Sequence, residues 1–337
     1  MEKLKGKLIF VPFCFTGMGI FRVWTETVYS NSAIAFPAQA VSGCGFATFN
    51  ILAAVVLLSL AFAARKIAPL FNKRFAYIGA GVGLSASAFL NFASIYLSSM
   101  ALPFGVAAVI LGAVGIALII LLWSELFSCL NPLRVGLYFS GGLVVGALIL
   151  WLFKGLLLPW LWVCTCLIPP ISLICLHQAY RHLSGKERPH TSWGHFTFPW
   201  KPIAIVALFS FSYGLCEPVF SSALGIHSGF GCVFAALIVY CGICIRRIEF
   251  RYSLVYQLAG LFMMLSLLPL TNVVPFWAHA SGFLALAGYT FALIAIMVVL
   301  SNISYQYGVN AVWLFGIERA VRLASVQGGI ELKHVLN

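Results

Sequence analysis

The sequence predicts an all-α fold, a polytopic membrane helix bundle of about ten transmembrane helices, and three observations carry that expectation. Hydrophobic residues fill 62% of the 337 positions and charged residues only 8%, where a soluble domain carries about 25% charged residues. The apolar residues gather in runs of about 20, the length a helix needs to cross the hydrocarbon of a bilayer, and no alternating barrel-strand pattern occurs. Finally, the 20 lysines and arginines sit in short clusters between those runs.

In chain order the expected spans are 8–28, 41–64, 76–96, 105–127, 134–153, 156–178, 203–222, 229–245, 253–270 and 277–300. The first begins after Met1-Glu-Lys-Leu-Lys-Gly-Lys7, which resembles a signal-peptide n-region, but no small-residue cleavage site follows and an uncleaved helix is expected. Short cytoplasmic loops hold the excess of basic residues. With the N-terminus inside, Lys3, Lys5, Lys7, Arg65, Lys66, Lys73, Arg74, Arg134, Arg181, Lys186, Arg188, Lys201, Arg246, Arg247, Arg251, Arg319, Arg322 and Lys333 all fall on the cytoplasmic side, leaving only Arg22 and Lys154 elsewhere. A missed or invented helix would invert every later loop, so the expected location is the cell (cytoplasmic) membrane with both termini cytoplasmic. The same placement makes the net charge of +12 a matter of topology and not of nucleic-acid binding.

The chain divides into a six-helix half at 1–179, a cytoplasmic linker at 180–202, and a second half at 203–337 made of four spans and a C-terminal amphipathic segment expected to lie at the membrane interface. The halves rhyme at an offset near 180 positions. Basic Ala64-Arg-Lys-Ile-Ala-Pro-Leu-Phe-Asn-Lys-Arg74 after helix two answers Arg246-Arg-Ile-Glu-Phe-Arg251 after helix eight, and the turn at 123–135 answers the stretch at 304–320. Two parallel six-helix halves joined by a linker are the plan of major facilitator transporters. On that plan the second half is incomplete.

Trp123-Ser-Glu-Leu-Phe-Ser-Cys-Leu-Asn-Pro-Leu-Arg134-Val-Gly-Leu-Tyr-Phe-Ser and Ser304-Tyr-Gln-Tyr-Gly-Val-Asn-Ala-Val-Trp-Leu-Phe-Gly-Ile-Glu-Arg carry a further likeness. Across roughly residues 8–329 the chain resembles membrane-bound LuxR-type regulators of anaerobic actinobacteria, in which a twelve-helix, transporter-like sensor precedes a helix-turn-helix domain. The resemblance implies a sensor region. After Val326-Gln-Gly-Gly the sequence continues only as Ile-Glu-Leu-Lys-His-Val-Leu-Asn, so no direct nucleic-acid binding by this chain is expected.

Arg22 and Glu26 stand four apart, on one face of the first helix. A charge at membrane depth faces the bundle interior or a watery cavity and is a functional-site hypothesis by default. Glu217 lies at similar depth on helix seven, so Arg22 is expected to pair with Glu217 or Glu26 beside a cavity; the plainer alternative is a structural pair whose side chains snorkel to water. Trp24 and Tyr213, among further aromatic and small residues, complete the expected ligand-binding set, an apolar pocket with a few polar groups. A second set, Glu125, Asn131, Pro132 and Arg134, marks a cytoplasmic re-entry with a structural or gating role.

Little supports chemistry. No Asp occurs, the acidic residues being eight Glu, and the ten cysteines lie in apolar runs. Cys241-Gly-Ile-Cys244 has no second pair, and His182, His190 and His195 match no zinc spacing. Phosphate-binding, nucleophile-elbow and zincin motifs are missing. No cofactor, no metal and no enzyme activity are expected. The expected partners are the lipid bilayer and an unknown small-molecule ligand. The expected function is a transporter-like sensor; the alternatives are a major-facilitator-like transporter of a small apolar or aromatic solute, and a truncated, non-functional remnant.

Overall fold

The computed structural model describes residues 12–29, 45–183, 198–222, 228–245, 252–268 and 278–336. Within them run α1 (Gly17–Val28, entered by a 3-10 turn at Phe13–Thr16), α2 (Gly45–Phe62), α3 (Arg74–Tyr96), α4 (Ala101–Phe127), α5 (Pro132–Phe153), α6 (Leu158–His182), α7 (Trp200–Ser222), α8 (Ser228–Ile245), α9 (Tyr252–Leu267), α10 (Ala278–Tyr307) and α11 (Ala311–Leu336). A helix therefore occupies each of the ten expected stretches. Five stretches, Arg74–Tyr96, Ser98–Phe127, Pro132–Phe153, Leu158–His182 and Ala280–Tyr307, are long and apolar enough to cross a membrane; Ala47–Phe62, Trp200–Cys216, Phe230–Ile245 and Tyr252–Leu267 are apolar and shorter.

The distribution of polarity fits a lipid solvent. Ile78, Val82, Leu102, Trp151, Leu208 and Met264 lie on the outside with more than half their surface exposed, while Ser87, Asn91, Ser172, Ser210, Thr290 and Ser301 are fully buried. Many buried hydroxyls return to their own helix, as Ser140 Oγ does to the Gly136 carbonyl (2.7 Å) and Thr165 Oγ1 to that of Leu161 (2.7 Å). Others tie helices together. Trp123 Nε1 on α4 donates to Ser172 Oγ on α6 (3.1 Å), which donates to the Gly17 carbonyl at the start of α1 (2.8 Å). With no water to compete, such bonds keep polar groups satisfied inside the bundle.

Three helix pairings recur when six is added to each helix number. α3 packs on α4 as α9 packs on α10; α1 on α5 as α7 on α11; α2 on α4 as α8 on α10. Between the halves, α2 meets α11 and α5 meets α8. The closest of these approaches need glycine: a Cβ on Gly19 would strike the Gly142 carbonyl, and one on Gly214 the Val326 carbonyl. The turns into α5 and α11 also match. Asn131 Oδ1 accepts the amide of Arg134 (2.9 Å), and Asn310 Oδ1, roughly 180 positions later, accepts that of Trp313 (3.1 Å), so each caps the first turn of its helix. Gly308, at φ 67°, makes the reversal before Asn310.

The C-terminal stretch expected at the membrane interface is a 26-residue helix, α11, packed against α2 and α7, with Glu318, Arg319 and Arg322 no more than 8% exposed. Gly316 sits on Leu57 and Ala61, late in α2, whereas Gly329 sits on Phe211 and Leu215 of α7. α11 thus runs alongside α7 in the same direction, and Arg319 and Arg322, assigned to the cytoplasmic side by charge, lie inside the bundle. One carboxylate and two guanidiniums offset one another there only in part, which lessens the cost of burying them without removing it.

Candidate functional site

α1 presents Arg22 and Glu26 to the second half. Arg22 Nε meets Glu26 Oε1 at 3.3 Å, and one terminal nitrogen of Arg22 donates to Cys232 Sγ on α8 at 3.1 Å. Their side chains keep 25% and 15% of their surface exposed, so this pair is sheltered without being sealed. Tyr213 of α7 lies within electrostatic reach of the same guanidinium.

Tyr213 stacks on Tyr289 of α10, ring centres 4.4 Å apart and planes at 12°. Tyr289 in turn lies within electrostatic reach of Arg319 of α11. Arg319 Nε is 3.3 Å from Glu318 Oε2, Arg322 Nε is 3.7 Å from Glu318 Oε1, and a terminal nitrogen of Arg319 rests 3.7 Å from Met297 Sδ. A row of polar groups therefore runs from Glu26 and Arg22 on the first half, through two stacked tyrosines, to Glu318, Arg319 and Arg322 on the second. Such a row can hold a ligand with one polar end and an apolar or aromatic body.

Of the expected ligand-binding residues, the structure brings together Arg22, Glu26 and Tyr213. Trp24 goes elsewhere, because two residues along a helix turn a side chain to the opposite side. It is fully buried within the first half, donating from Nε1 to the Leu84 carbonyl (3.2 Å) and packing on Phe21, Tyr29 and Phe49. Glu217 falls on α7, but its side chain and the expected pairing with Arg22 lie outside the described residues. Sequence reasoning missed Cys232, Tyr289, Glu318, Arg319 and Arg322. The available signal was the four-residue spacing of Glu318 and Arg322, which puts carboxylate and guanidinium on one face of the helix; the contact of Glu318 with its neighbour Arg319 gave no such signal.

The second set has two separate tasks. Glu125, 7% exposed near the end of α4, accepts the Leu70 amide at Oε1 and the Phe71 amide at Oε2, both at 2.9 Å. It holds the short 3-10 turn Leu70–Asn72 between α2 and α3, and Phe71 stacks on Tyr180 of α6 at 4.9 Å. Every one of these contacts is inside the first half. Asn131 and Pro132 start α5, with Arg134 supplying the capped amide. The Pro132 carbonyl then accepts the hydroxyl of Tyr252, at the start of α9, at 2.9 Å, and this bond does cross between the halves. His190 and His195 lie outside the described residues. The chain matches no family model and no curated protein.

Proposed function

We propose that this protein binds a small molecule at the join between two halves of a major-facilitator-like bundle of ten or more spans, and that it is the sensing region of a LuxR-type regulator. The observation that carries the reading is the row of charged and tyrosine side chains connecting α1 with α7, α10 and α11. Ionisable groups at membrane depth are costly and are by default a functional-site hypothesis. Ligand contact with both ends of the row would favour one relative position of the halves, which is what a sensor transmits.

The test is the melting temperature of the detergent-solubilised protein against a small-molecule panel, with Arg22→Leu and Tyr213→Ala in parallel. Ligand that binds the folded state raises stability. The reading expects a ligand-dependent rise that both substitutions abolish. A rise unchanged in both variants would remove the join as the binding site.

A second reading, transport of a small apolar or aromatic solute, draws on the recurring helix pairings, which suit rocking of one half against the other. Flux of the stabilising compound into proteoliposomes separates the two: accumulation above that of empty vesicles favours transport, and binding without flux favours sensing.

A further inference from the structure

The cluster on α11 carries a charge imbalance. Arg22 faces Glu26, but among the described residues Glu318 alone faces both Arg319 and Arg322. Guanidinium groups stay protonated in proteins, so an ionised Glu318 leaves this turn with an uncompensated positive charge. Glu318, Arg319 and Arg322 are 1%, 5% and 8% exposed, and an unpaired charge removed from water to that degree is strongly unfavourable.

Hydrogen bonding in the cluster is also incomplete. Glu318 Oε1, Arg319 Nε and Arg322 Nε are buried and make no hydrogen bond among the described residues, their approaches being ion pairs of poor alignment. A terminal nitrogen of Arg319 meets the thioether of Met297, a weak acceptor. On the face of α10 that carries Met297, at helical spacings of seven and four, Thr290 Oγ1 and Ser301 Oγ are likewise buried without a partner among the described residues. Surplus positive charge, unused donors and an adjoining stack of two tyrosines describe a place prepared for an anion with an apolar body.

We infer that the join binds a small organic carboxylate, its anionic group held by Arg319 and Arg322 and its apolar body laid against the Tyr213–Tyr289 stack. This rests on the reading of a ligand site at the join and specifies its chemistry. A carboxylate oxygen replaces Met297 Sδ as the acceptor for Arg319 and cancels the surplus charge. The turn then holds a balanced arrangement, two guanidiniums with two carboxylates.

The experiment is calorimetric titration of the full chain in detergent with phenylacetate, 3-phenylpropionate and 4-phenylbutyrate, each beside its uncharged amide. The expected result is that an acid binds at least about tenfold more tightly than its amide, since a charge-assisted hydrogen bond contributes more than a neutral one. Arg319→Gln and Arg322→Gln should each weaken acid binding by about tenfold or more, Arg322→Lys should weaken it less, and Glu318→Gln, which removes the competing carboxylate, should tighten it. The comparison of acid with amide on the unaltered protein stands even if an arginine variant fails to fold. Amides binding as well as acids, or an Arg322→Gln protein that melts cooperatively and keeps its affinity, would overturn the carboxylate while leaving the site at the join intact. Binding of neither acids nor amides would count against both. Tightening of acids by Arg319→Gln would reverse the assignment of that residue.

Discussion

Glu125 gives both carboxylate oxygens to consecutive backbone amides, so the α2–α3 connection is fixed by one side chain from another helix. Glu125→Ala leaves two amides without acceptors and is expected to cost roughly 2–5 kcal/mol, read as a lower melting temperature. Glu125→Gln keeps one acceptor oxygen and should lose roughly half as much. Because its hydrogen bonds among the described residues stay in the first half, neither variant should alter ligand affinity, which separates this residue from Arg22. Trp24 gives a parallel case: Trp24→Phe removes the bond to Leu84 and should lower stability by about 1 kcal/mol, with ligand-induced stabilisation unchanged. At this scale the sequence disclosed which residues were out of place in a bilayer but not which way they turned. Arg22 and Glu26 were legible because a four-residue spacing fixes a shared side; Trp24 was misplaced because aromatic character says nothing about direction; and Tyr289 gave no sign, since one tyrosine in an apolar run is ordinary.

Helices α1 and α5, and α7 and α11, approach so closely that glycine is required on both pairs. Gly19→Leu and Gly214→Leu should each destabilise by about 1–3 kcal/mol or prevent insertion, because the opposing backbone cannot recede. At Gly105 and Gly260 an added methyl would meet nothing within 4 Å among the described residues, so Gly105→Ala and Gly260→Ala should be neutral or raise stability by up to about 1 kcal/mol. A melting series across the four variants checks both sides of this expectation at once. Element positions were largely readable, because apolar run length reports directly on what a bilayer demands. α11 was the exception: a rule that counts charges penalises Glu318, Arg319 and Arg322 one at a time, and only the folded helix reveals that they neutralise each other in part. The matched caps Asn131 and Asn310 were visible as related stretches, although their task as helix starts was not.

Between the halves, α11 touches α2 where a Cβ on Gly316 would lie 2.8 Å from Ala61 Cβ. A double variant, Ala61→Cys with Gly316→Cys, should therefore form a disulfide after a small adjustment, since bridged Cβ atoms stand about 3.5–4.5 Å apart. The expected outcome is a protein locked in one relative placement of the halves, whose ligand affinity changes on oxidation and returns when reductant is added; an affinity unaffected by oxidation would show that the halves need not move. The repeat was half legible, since an offset near 180 positions matched the re-entry turns but could not reveal the three helix pairings that recur six helices later. Carried along that offset, Glu318, Arg319 and Arg322 of α11 fall opposite Phe139, Ser140 and Leu143 of α5, three buried residues with no net charge among them. Sister helices with the same glycine-lined backbone contact thus have different characters, one an oily hinge-plate and the other an electrically loaded one. The two sides of the bundle are in this way lopsided, apolar at these positions on one and charged on the other, and for the carboxylate site proposed above, exchanging the three residues should move the recognition to the opposite side of the join.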